Sequence, residues 1–322
     1  MKQLIFSLVL AVFFITSCSS DSNQKSTKKV EKPALVVPEF NADTAYQFIQ
    51  TQVDFGPRTP NSKAHEACKN WLVTQFKNFG CTVQKQEGVQ TAHDGANLKF
   101  CNIFASMNPD HKKRVLLTAH WDTRPWGDND SDAQYHTKPI DGANDGGSGV
   151  AVILEIARVL QQKNPGIGVD FLLFDIEDYG ISSVPKSFCY GSQYWSQHPT
   201  YQGNFPKYAI NLDMVGDKNA YFVYEGYSVQ YARHILDKVW ASAHELNYQH
   251  LFGREQSYPV TDDHLYVNQV GIPCIDVIHR DKTSGRFPDS WHTHKDGMQF
   301  IHKPTLDAVG STLLRVLFKE GL

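Results

Sequence analysis

The stretch Leu172-Leu173-Phe174-Asp175-Ile176-Glu177-Asp178-Tyr179-Gly180 joins an apolar run to three carboxylates within four positions. Residues 169–174 are long enough for a buried strand and too short for a helix. Open α/β sheets bind their ligands at the carboxyl ends of the strands, which is where these acids would lie. The adjacent acids Glu177 and Asp178 repel each other unless a cation or a proton is shared between them. The stretch therefore predicts either a functional site or a solvated acidic turn.

The composition describes a globular chain with no sign of a nucleic-acid partner. Its 322 residues are 41% hydrophobic and 20% charged, which is enough for one large domain or two small ones. The net charge is −3 and the pI is near 6.5, and no run of basic residues is dense. No nucleic-acid interaction is therefore expected.

Apolar periodicity divides most of the chain into alternating helices and strands. Helices are predicted at 41–55, 62–79, 148–160, 228–246, 262–268 and 304–318, the second with Ser62 as N-cap and Gly80 just past its end. Strands are predicted at 82–84, 100–107, 115–119, 169–174, 208–213, 221–224 and 273–278. This alternation predicts a single α/β domain over residues 39–322, with a mixed, mostly parallel twisted sheet flanked by helices on both faces.

The N-terminus predicts export and a lipid anchor. Lys2 precedes an apolar run at 4–15 that is too short to span a bilayer and is typical of a secretory signal. The run ends in Ile15-Thr16-Ser17-Cys18, which resembles the lipobox of bacterial lipoproteins. Residues 1–17 are interpreted as a lipoprotein signal peptide and 18–38 as a flexible tether from lipidated Cys18. An ordinary signal peptide cut nearby is the alternative.

The anchored protein is expected on the periplasmic side of a bacterial membrane or at the cell surface.

The five cysteines other than Cys18 match no zinc-cluster spacing and, being odd in number, cannot all pair with one another; they are Cys68, Cys81, Cys101, Cys189 and Cys274. One or two disulfides would be compatible with an oxidising compartment.

Polar side chains follow the ends of several predicted strands. His120 and Asp122 begin a long polar loop that closes with the glycine-rich run 142–149, which contains Asp145. Three further strands are followed by Glu177 and Asp178, by Asp213 and by His292. Because the carboxyl ends of parallel strands meet at one edge of a sheet, we expect these side chains to converge. Histidine and carboxylate ligands suit zinc, so the sequence predicts a zinc site at this edge.

Each of these residues also has a purely structural interpretation. Asp145 could cap the helix that follows it, His120 could be a hydrogen-bonded core histidine, and Asp213 could end a turn. His292 has other histidines near it in the sequence, so composition alone does not single it out.

Ordered motifs along the chain carry a resemblance to a known family. The motifs His120-x-Asp122, Gly142-Ala143-Asn144-Asp145-Gly146-Gly147-Ser148-Gly149, Glu177-Asp178, Asp213 and His292 together resemble the zinc-dependent aminopeptidase-like superfamily. Within it the chain resembles the glutaminyl-peptide cyclotransferases (glutaminyl cyclases), particularly the bacterial ones. The supporting motifs are Gly56-Pro57-Arg58-Thr59-Pro60, Tyr190-Gly191-Ser192, Thr261-Asp262-Asp263-His264 and Phe287-Pro288-x-x-Trp291-His292-Thr293.

The resemblance implies an acyltransferase that converts the N-terminal glutamine of peptides or proteins, and by extension glutamate, to pyroglutamate. Its metal ligands would be Asp145, Asp178 and His292, which would hold one zinc ion. Its catalytic residues would be Glu177 as the proton shuttle, with Asp213 and Asp262 as a hydrogen-bond relay. Its substrate pocket would be lined by Trp291 and Phe287.

Two other functions stay open at this point. A two-zinc aminopeptidase of the same superfamily would use His120 and Asp213, with Asp145 bridging, for a second metal ion. The bulky Trp291 beside His292 favours the cyclase, because a peptidase must also admit the rest of a peptide chain. An inactive relative that serves as a surface binding module would be expected to have lost ligands that this chain retains.

Overall fold

The computed structural model describes residues 35–322, which contain eight strands and seven α-helices. The strands are β1 (Thr82–Thr91), β2 (Asn97–Met107), β3 (Arg114–His120), β4 (Gly168–Phe174), β5 (Ala209–Asp213), β6 (Phe222–Tyr224), β7 (Phe252–Gln256) and β8 (Cys274–Ile278). The helices are α1 (Ala42–Asp54), α2 (Lys63–Asn78), α3 (Gly147–Gln162), α4 (Tyr190–Gln197), α5 (Gly226–Glu245), α6 (Asp263–Gln269) and α7 (Lys303–Glu320).

Six of the strands form the central sheet, in the order β1-β2-β4-β3-β5-β8. The pairs β4/β3, β3/β5 and β5/β8 are parallel, whereas β1/β2 and β2/β4 are antiparallel. His120 pairs with Phe174 in register, and Asp213 pairs with Ile278, so the parallel strands end at the same edge. The predicted mixed, mostly parallel sheet is confirmed.

The sheet is covered on both faces, as predicted. On one face, Val115, Leu117 and Ala119 of β3 point into the larger apolar core, which also contains residues of α1, α2, α3, α5 and α7. On the other face, Leu116 of the same strand contacts a smaller core that includes Trp195 of α4 and Val267 of α6. Burial of both faces explains why β3 and β4 consist of nearly uninterrupted apolar residues.

The ends of α2 are those that the sequence predicts. Ser62 accepts a hydrogen bond from the backbone N–H of His65 at 3.0 Å, which satisfies one of the free donors of the first turn. Gly80 adopts a left-handed φ of +79° and ends the helix.

The structure adds elements that the apolar pattern did not predict. β1 continues to Thr91 because it is an edge strand whose side chains are exposed or half-buried, so most of it carries no apolar run. β7 is largely polar and pairs with β6 in a separate two-stranded sheet. α4 has no aliphatic stripe, and its N-cap residue Cys189 has a left-handed φ of +59°.

The predicted signal peptide, Cys18 and most of the predicted tether lie outside the described residues. From residue 35 onward, no helix is long and apolar enough to cross a membrane. In the same part of the chain all five cysteines are free and buried, so no disulfide is formed there.

Arg58 connects the loop at 56–60 to the long loop that follows β3. Its buried guanidinium donates to the carbonyls of Trp121, Asp141 and Gly142 at 3.3, 2.6 and 2.7 Å. Burial lowers the pKa of Arg58 from its ordinary value, although nearby acids counteract this.

We expect Arg58→Met to lower the free energy of unfolding by about 3 kcal/mol or more, because it leaves three carbonyls without their donor. Urea unfolding measures the change. The control Arg315→Met removes a partly exposed arginine that pairs with Glu245, and it should cost no more than about 1 kcal/mol. Equal effects of the two substitutions would contradict the role assigned to Arg58.

Candidate active site

Asp175, the first acid after β4, is part of a buried structural pair. Its carboxylate lies 2.8 Å from Nε2 of His65 and accepts the backbone N–H of Cys101 at 2.7 Å. The His65 ring stacks on Trp121 with 4.3 Å between the ring centroids. Asp175 is thus fully occupied in holding the sheet edge together.

Glu177 and Asp178 are turned toward the edge of the sheet by a strained backbone. Ile176 has a left-handed φ of +50°, which is unusual for a β-branched residue. The next two backbone N–H groups, of Glu177 and Asp178, donate to the Asp122 carboxylate at 3.0 and 3.1 Å. Asp178 is only 2% exposed, so a solvated acidic turn is excluded.

Asp145, Asp178 and His292 form the first group of converging ligands. Nε2 of His292 lies 3.0 Å from Oδ1 of Asp178 and 3.9 Å from Oδ2 of Asp145. Arg124 donates from Nη1 to the same oxygen, Oδ1 of Asp178, at 3.0 Å and so helps to hold this carboxylate in place. His292 itself has a left-handed φ of +58°, a second strained residue at the site.

His120, Asp145 and Asp213 form a second group, which shares Asp145 with the first. Nε2 of His120 lies 3.0 Å from Oδ1 of Asp145 and 3.4 Å from Oδ1 of Asp213. The other ring nitrogen of His120 is 3.5 Å from Asp122. All the residues of the predicted second metal site are therefore brought together.

The glycine-rich run 142–149 positions Asp145 without using it as a helix cap. α3 has Gly146 at its N-cap position and no side-chain cap. Gly146 has a φ of +84°, and a Cβ there would lie 2.6 Å from the carbonyl oxygen of Asp122. Asp296 accepts the backbone N–H groups of Asn144 and Asp145 at 2.8 and 3.0 Å. The Asp145 side chain is consequently free to face both histidines.

The two groups fit a metal ion. Three carboxylate oxygens at the site are buried and lack a hydrogen-bond partner among residues 35–322, namely Oδ2 of Asp145, Oδ2 of Asp178 and Oδ1 of Asp213. A buried carboxylate oxygen without a partner is unfavourable, and a cation would satisfy it. In each group the ligand atoms lie within 4.8 Å of one another. This donor set of imidazole and carboxylate suits zinc.

The electrostatics separate Glu177 from Asp178. Burial and the neighbouring carboxylates of Asp178 and Asp262 raise the pKa of Glu177 well above its ordinary value. Burial alone would also raise the pKa of Asp178, but His292 and Arg124 outweigh it and lower that pKa to about 2. Of the two adjacent acids, one is therefore held as an anion and the other can carry a proton.

Asp213, like Glu177, has a raised pKa. Burial, together with the nearby carboxylates of Asp145 and Asp262, raises the pKa of Asp213 to about 7.

Glu177 contacts two side chains from elements further along the chain. The Cys189 thiol donates to Oε1 of Glu177 at 3.1 Å, and an Asp262 carboxylate oxygen lies within 4.8 Å of both contacting atoms. Asp262 accepts a hydrogen bond from Asn211 at 2.8 Å. The predicted relay residue Asp262 thus lies beside Glu177 and is fixed from the sheet side.

A cleft of about 400 Å³ is lined by most of these acids and by His292, namely Asp145, Glu177, Asp178, Asp213, Asp262 and His292. Trp291 stacks on His292 with 3.7 Å between the ring centroids, and Phe287 packs against Trp291 at 4.4 Å with the rings tilted by 33°. The opposite wall comes from the loop before α4 and contains Ser182, Val184, Pro185, Lys186 and Phe188. The apolar wall is therefore directly adjacent to the ligand groups.

A model of peptidase family M28 matches residues 102–317, which is most of the chain and contains every side chain of the two ligand groups. The chain belongs to peptidase family M28. The M28 match ends just before the C-terminus and begins within β2, so it covers all four parallel strands of the sheet.

Similar proteins include both cyclases and an exopeptidase. The glutaminyl-peptide cyclotransferase of Gloydius blomhoffii is 26% identical over 298 residues, which cover 82% of this chain and 77% of that protein. The solved glutaminyl cyclase of Bacteroides thetaiotaomicron is 47% identical, with a TM-score of 0.85 over 88% of this chain and 99% of that chain. A Zn-dependent exopeptidase from Parabacteroides distasonis is 46% identical, with the same TM-score and coverage. The resemblance to bacterial glutaminyl cyclases is confirmed.

Several residues of this M28 site had no predicted role. Arg124 orients Asp178, Asp122 orients the turn that carries Glu177, Asp296 holds the Asp145 loop, and Cys189 contacts Glu177. Of these, Asp122 had a usable signal, because it follows His120 at the end of a buried strand.

Proposed function

We propose that this chain is a zinc-dependent glutaminyl-peptide cyclotransferase that acts on peptides or proteins with an N-terminal glutamine. The observation that carries the proposal is the small cleft in which the aromatic wall of Trp291 and Phe287 adjoins the ligand group and the protonatable Glu177. A volume of about 400 Å³ lies toward the lower end of the range for small-molecule sites, so the cleft suits the terminal residue of a substrate better than an extended peptide.

We propose that Asp145, Asp178 and His292 hold one zinc ion. When bound there, zinc would act as a Lewis acid on the γ-amide carbonyl of the substrate. Arg124 supports this assignment because it keeps Asp178 ionised and oriented. In the group of His120, Asp145 and Asp213, a proton on His120 can take the place of a second metal ion. Burial lowers the pKa of His120, but its acidic partners outweigh burial and raise that pKa well above its ordinary value.

In the reaction, the free α-amine of the substrate attacks its own γ-amide carbonyl carbon. One carbon–nitrogen bond forms to close the ring, and the bond to the γ-amide nitrogen breaks to release ammonia. Glu177 accepts a proton from the attacking amine and delivers it to the leaving nitrogen. The aromatic wall holds the side chain folded back toward the amine, which is the main requirement of an intramolecular reaction.

Asp213 and Asp262 would assist Glu177 rather than touch the substrate. Asp262 lies beside the Glu177 carboxyl, and the pKa of Asp213 near 7 allows it to hold or release a proton at neutral pH. Both are thus suited to share the proton that Glu177 holds between its transfer from the attacking amine and its delivery to the leaving nitrogen.

A two-zinc aminopeptidase is the second candidate, because His120, Asp145 and Asp213 converge as a further metal site would require. The two activities give different products. A cyclase releases ammonia from an N-terminal glutamine peptide and leaves a leucine peptide intact, whereas an aminopeptidase releases a free amino acid from either. Zinc content per chain, measured alongside, should be one for the cyclase; an inactive binding module would give neither product.

We expect Arg124→Gln to weaken zinc binding by about 10- to 100-fold, because it removes the group that orients a metal ligand. Competition with a chelator measures the affinity. Arg158→Gln is the matched control, since Arg158 pairs with Glu155 on α3 and lines no part of the cleft. If both substitutions leave zinc affinity unchanged, Arg124 does not support the metal site.

We also propose that the protein is exported and anchored to the bacterial membrane by lipid on Cys18. The proposal rests on the apolar run at 4–15 and the lipobox-like sequence that follows it. Cys18→Ala should abolish incorporation of a labelled fatty acid and release the protein from the membrane fraction. A variant that stays in the membrane fraction without label would contradict the lipid anchor.

A further inference from the structure

Arg280 lines the candidate active-site cleft with its guanidinium largely unpaired. It follows shortly after β8 and is 9% exposed. Its Nε and Nη2 both donate to one acceptor, the carbonyl of Gly285, at 3.0 and 2.7 Å. Within residues 35–322, Nη1 makes no hydrogen bond and no carboxylate forms a salt bridge with the side chain.

The other buried arginines of the described chain are compensated. Arg114 pairs with Asp170, and Arg124 pairs with Asp178. Arg58 donates to three carbonyls. Arg280 is the exception because it has no carboxylate partner and only one acceptor, and it is the one that borders the cleft. An anion that enters the cleft would remove this imbalance.

Aromatic stacking fixes the position of the Arg280 side chain. The guanidinium carbon lies 4.3 Å from the centroid of the Phe287 ring. Phe287 in turn packs at a tilt against Trp291, which stacks on His292. Stacking on an aromatic face leaves the edge of a guanidinium free to donate hydrogen bonds. The Phe287 ring thus holds the guanidinium at the border of the cleft.

Arg280 also lies between the cleft and the protein surface. It lines two further hollows on the surface, one with Tyr258 and Lys282 and the other with Arg286 and Asp289. The cleft is also lined by five acids (Asp145, Glu177, Asp178, Asp213 and Asp262), and Lys186 is the other basic residue beside Arg280 and His292. A peptide whose first residue occupies the cleft can therefore reach the surface past Arg280.

We propose that Arg280 binds a carboxylate of the substrate downstream of its N-terminal glutamine. The ligand chemistry is a carboxylate from either of two sources, an acidic side chain at the second or third position or the free C-terminus of a short peptide. A guanidinium edge binds such a group through charge-assisted hydrogen bonds. This inference rests on the proposed function and adds a preference for acidic substrates.

Matched peptides test the inference and separate the two sources. Gln-Glu-Ala-amide, Gln-Gln-Ala-amide and Gln-Lys-Ala-amide vary the side chain, and Gln-Ala with a free or amidated C-terminus varies the terminal carboxylate. The wild-type protein is expected to prefer an acidic peptide to its neutral counterpart by roughly five- to tenfold in kcat/KM, either in the pair with Glu or Gln at the second position or in the pair with a free or amidated C-terminus. The lysine peptide is expected to be the poorest substrate.

Arg280→Gln should bring the ratio of kcat/KM for the acidic peptide to kcat/KM for the neutral peptide close to one. Arg280→Lys should retain part of the preference. The control Arg233→Gln should keep the full ratio, because Arg233 also stacks on an aromatic ring, that of Tyr224, but lines none of the three hollows. A wild-type ratio near one, or a preference that persists in Arg280→Gln, overturns the inference about Arg280 and leaves the proposed cyclase function standing. If the wild-type protein cyclises no peptide, the proposed function fails together with it.

Discussion

Glu177→Gln is expected to lower kcat for cyclisation by roughly 10²–10⁴, which corresponds to about 3–5 kcal/mol in the activation barrier. Glutamine has nearly the same shape as glutamate but cannot accept the proton of the attacking amine. Cys189 and Asp262 would still surround the side chain, so the geometry of the cleft should survive. Steady-state rates on a glutaminyl peptide measure the effect.

Zinc content distinguishes the two roles that Glu177 could have. The Glu177→Gln protein should retain as much zinc as the wild type, because Asp178 rather than Glu177 faces His292. Glu66→Gln on the surface of α2 serves as a matched control and should be fully active. Loss of zinc from the Glu177→Gln protein would show that Glu177 is a ligand and would reverse the assignment of the two acids.

Asp145→Asn is expected to abolish zinc binding and, with it, activity. Asp145 is the shared member of both ligand groups, with one oxygen 3.0 Å from His120 and the other 3.9 Å from His292. Since a Lewis-acid metal contributes several kcal/mol to the transition state, its loss should lower the rate by at least about a thousandfold. Metal analysis of the purified variant and single-turnover kinetics measure the two effects.

The matched control for this substitution is Asp110→Asn, which changes an exposed aspartate between β2 and β3. It should bind zinc and turn over substrate as the wild type does. Activity of the Asp145→Asn protein within about tenfold of wild type, in the absence of bound metal, would contradict a metal-assisted reaction.

The parts of the fold that could be predicted are those whose signal is local. β3 and β4 are buried on both faces, so their apolar runs identify them without further information. β7 owes its conformation to pairing with β6, and its polar residues carry no pattern of their own. The alternation of strands and helices was therefore sufficient for the class of the central sheet and insufficient for a polar strand that depends on its pairing partner.

The same distinction applies to the site. His120 and Asp213 end strands of a parallel sheet, and this topology alone brings them to one place. Arg124, by contrast, reaches Asp178 across 54 positions of the chain, and Asp296 reaches the backbone of Asp145 across 151. Contacts of that kind depend on how two long loops pack, which no local spacing encodes.

The fate of the γ-amide nitrogen tests the central claim most directly. A peptide with an N-terminal glutamine that carries a nitrogen isotope label in its γ-amide would be incubated with the zinc-loaded protein, and the products would be separated by mass spectrometry. The proposed cyclase releases the label as ammonia and leaves a pyroglutamyl peptide whose first peptide bond is intact. Release of free glutamine that still carries the label, with the peptide shortened by one residue, would contradict the account and establish an aminopeptidase.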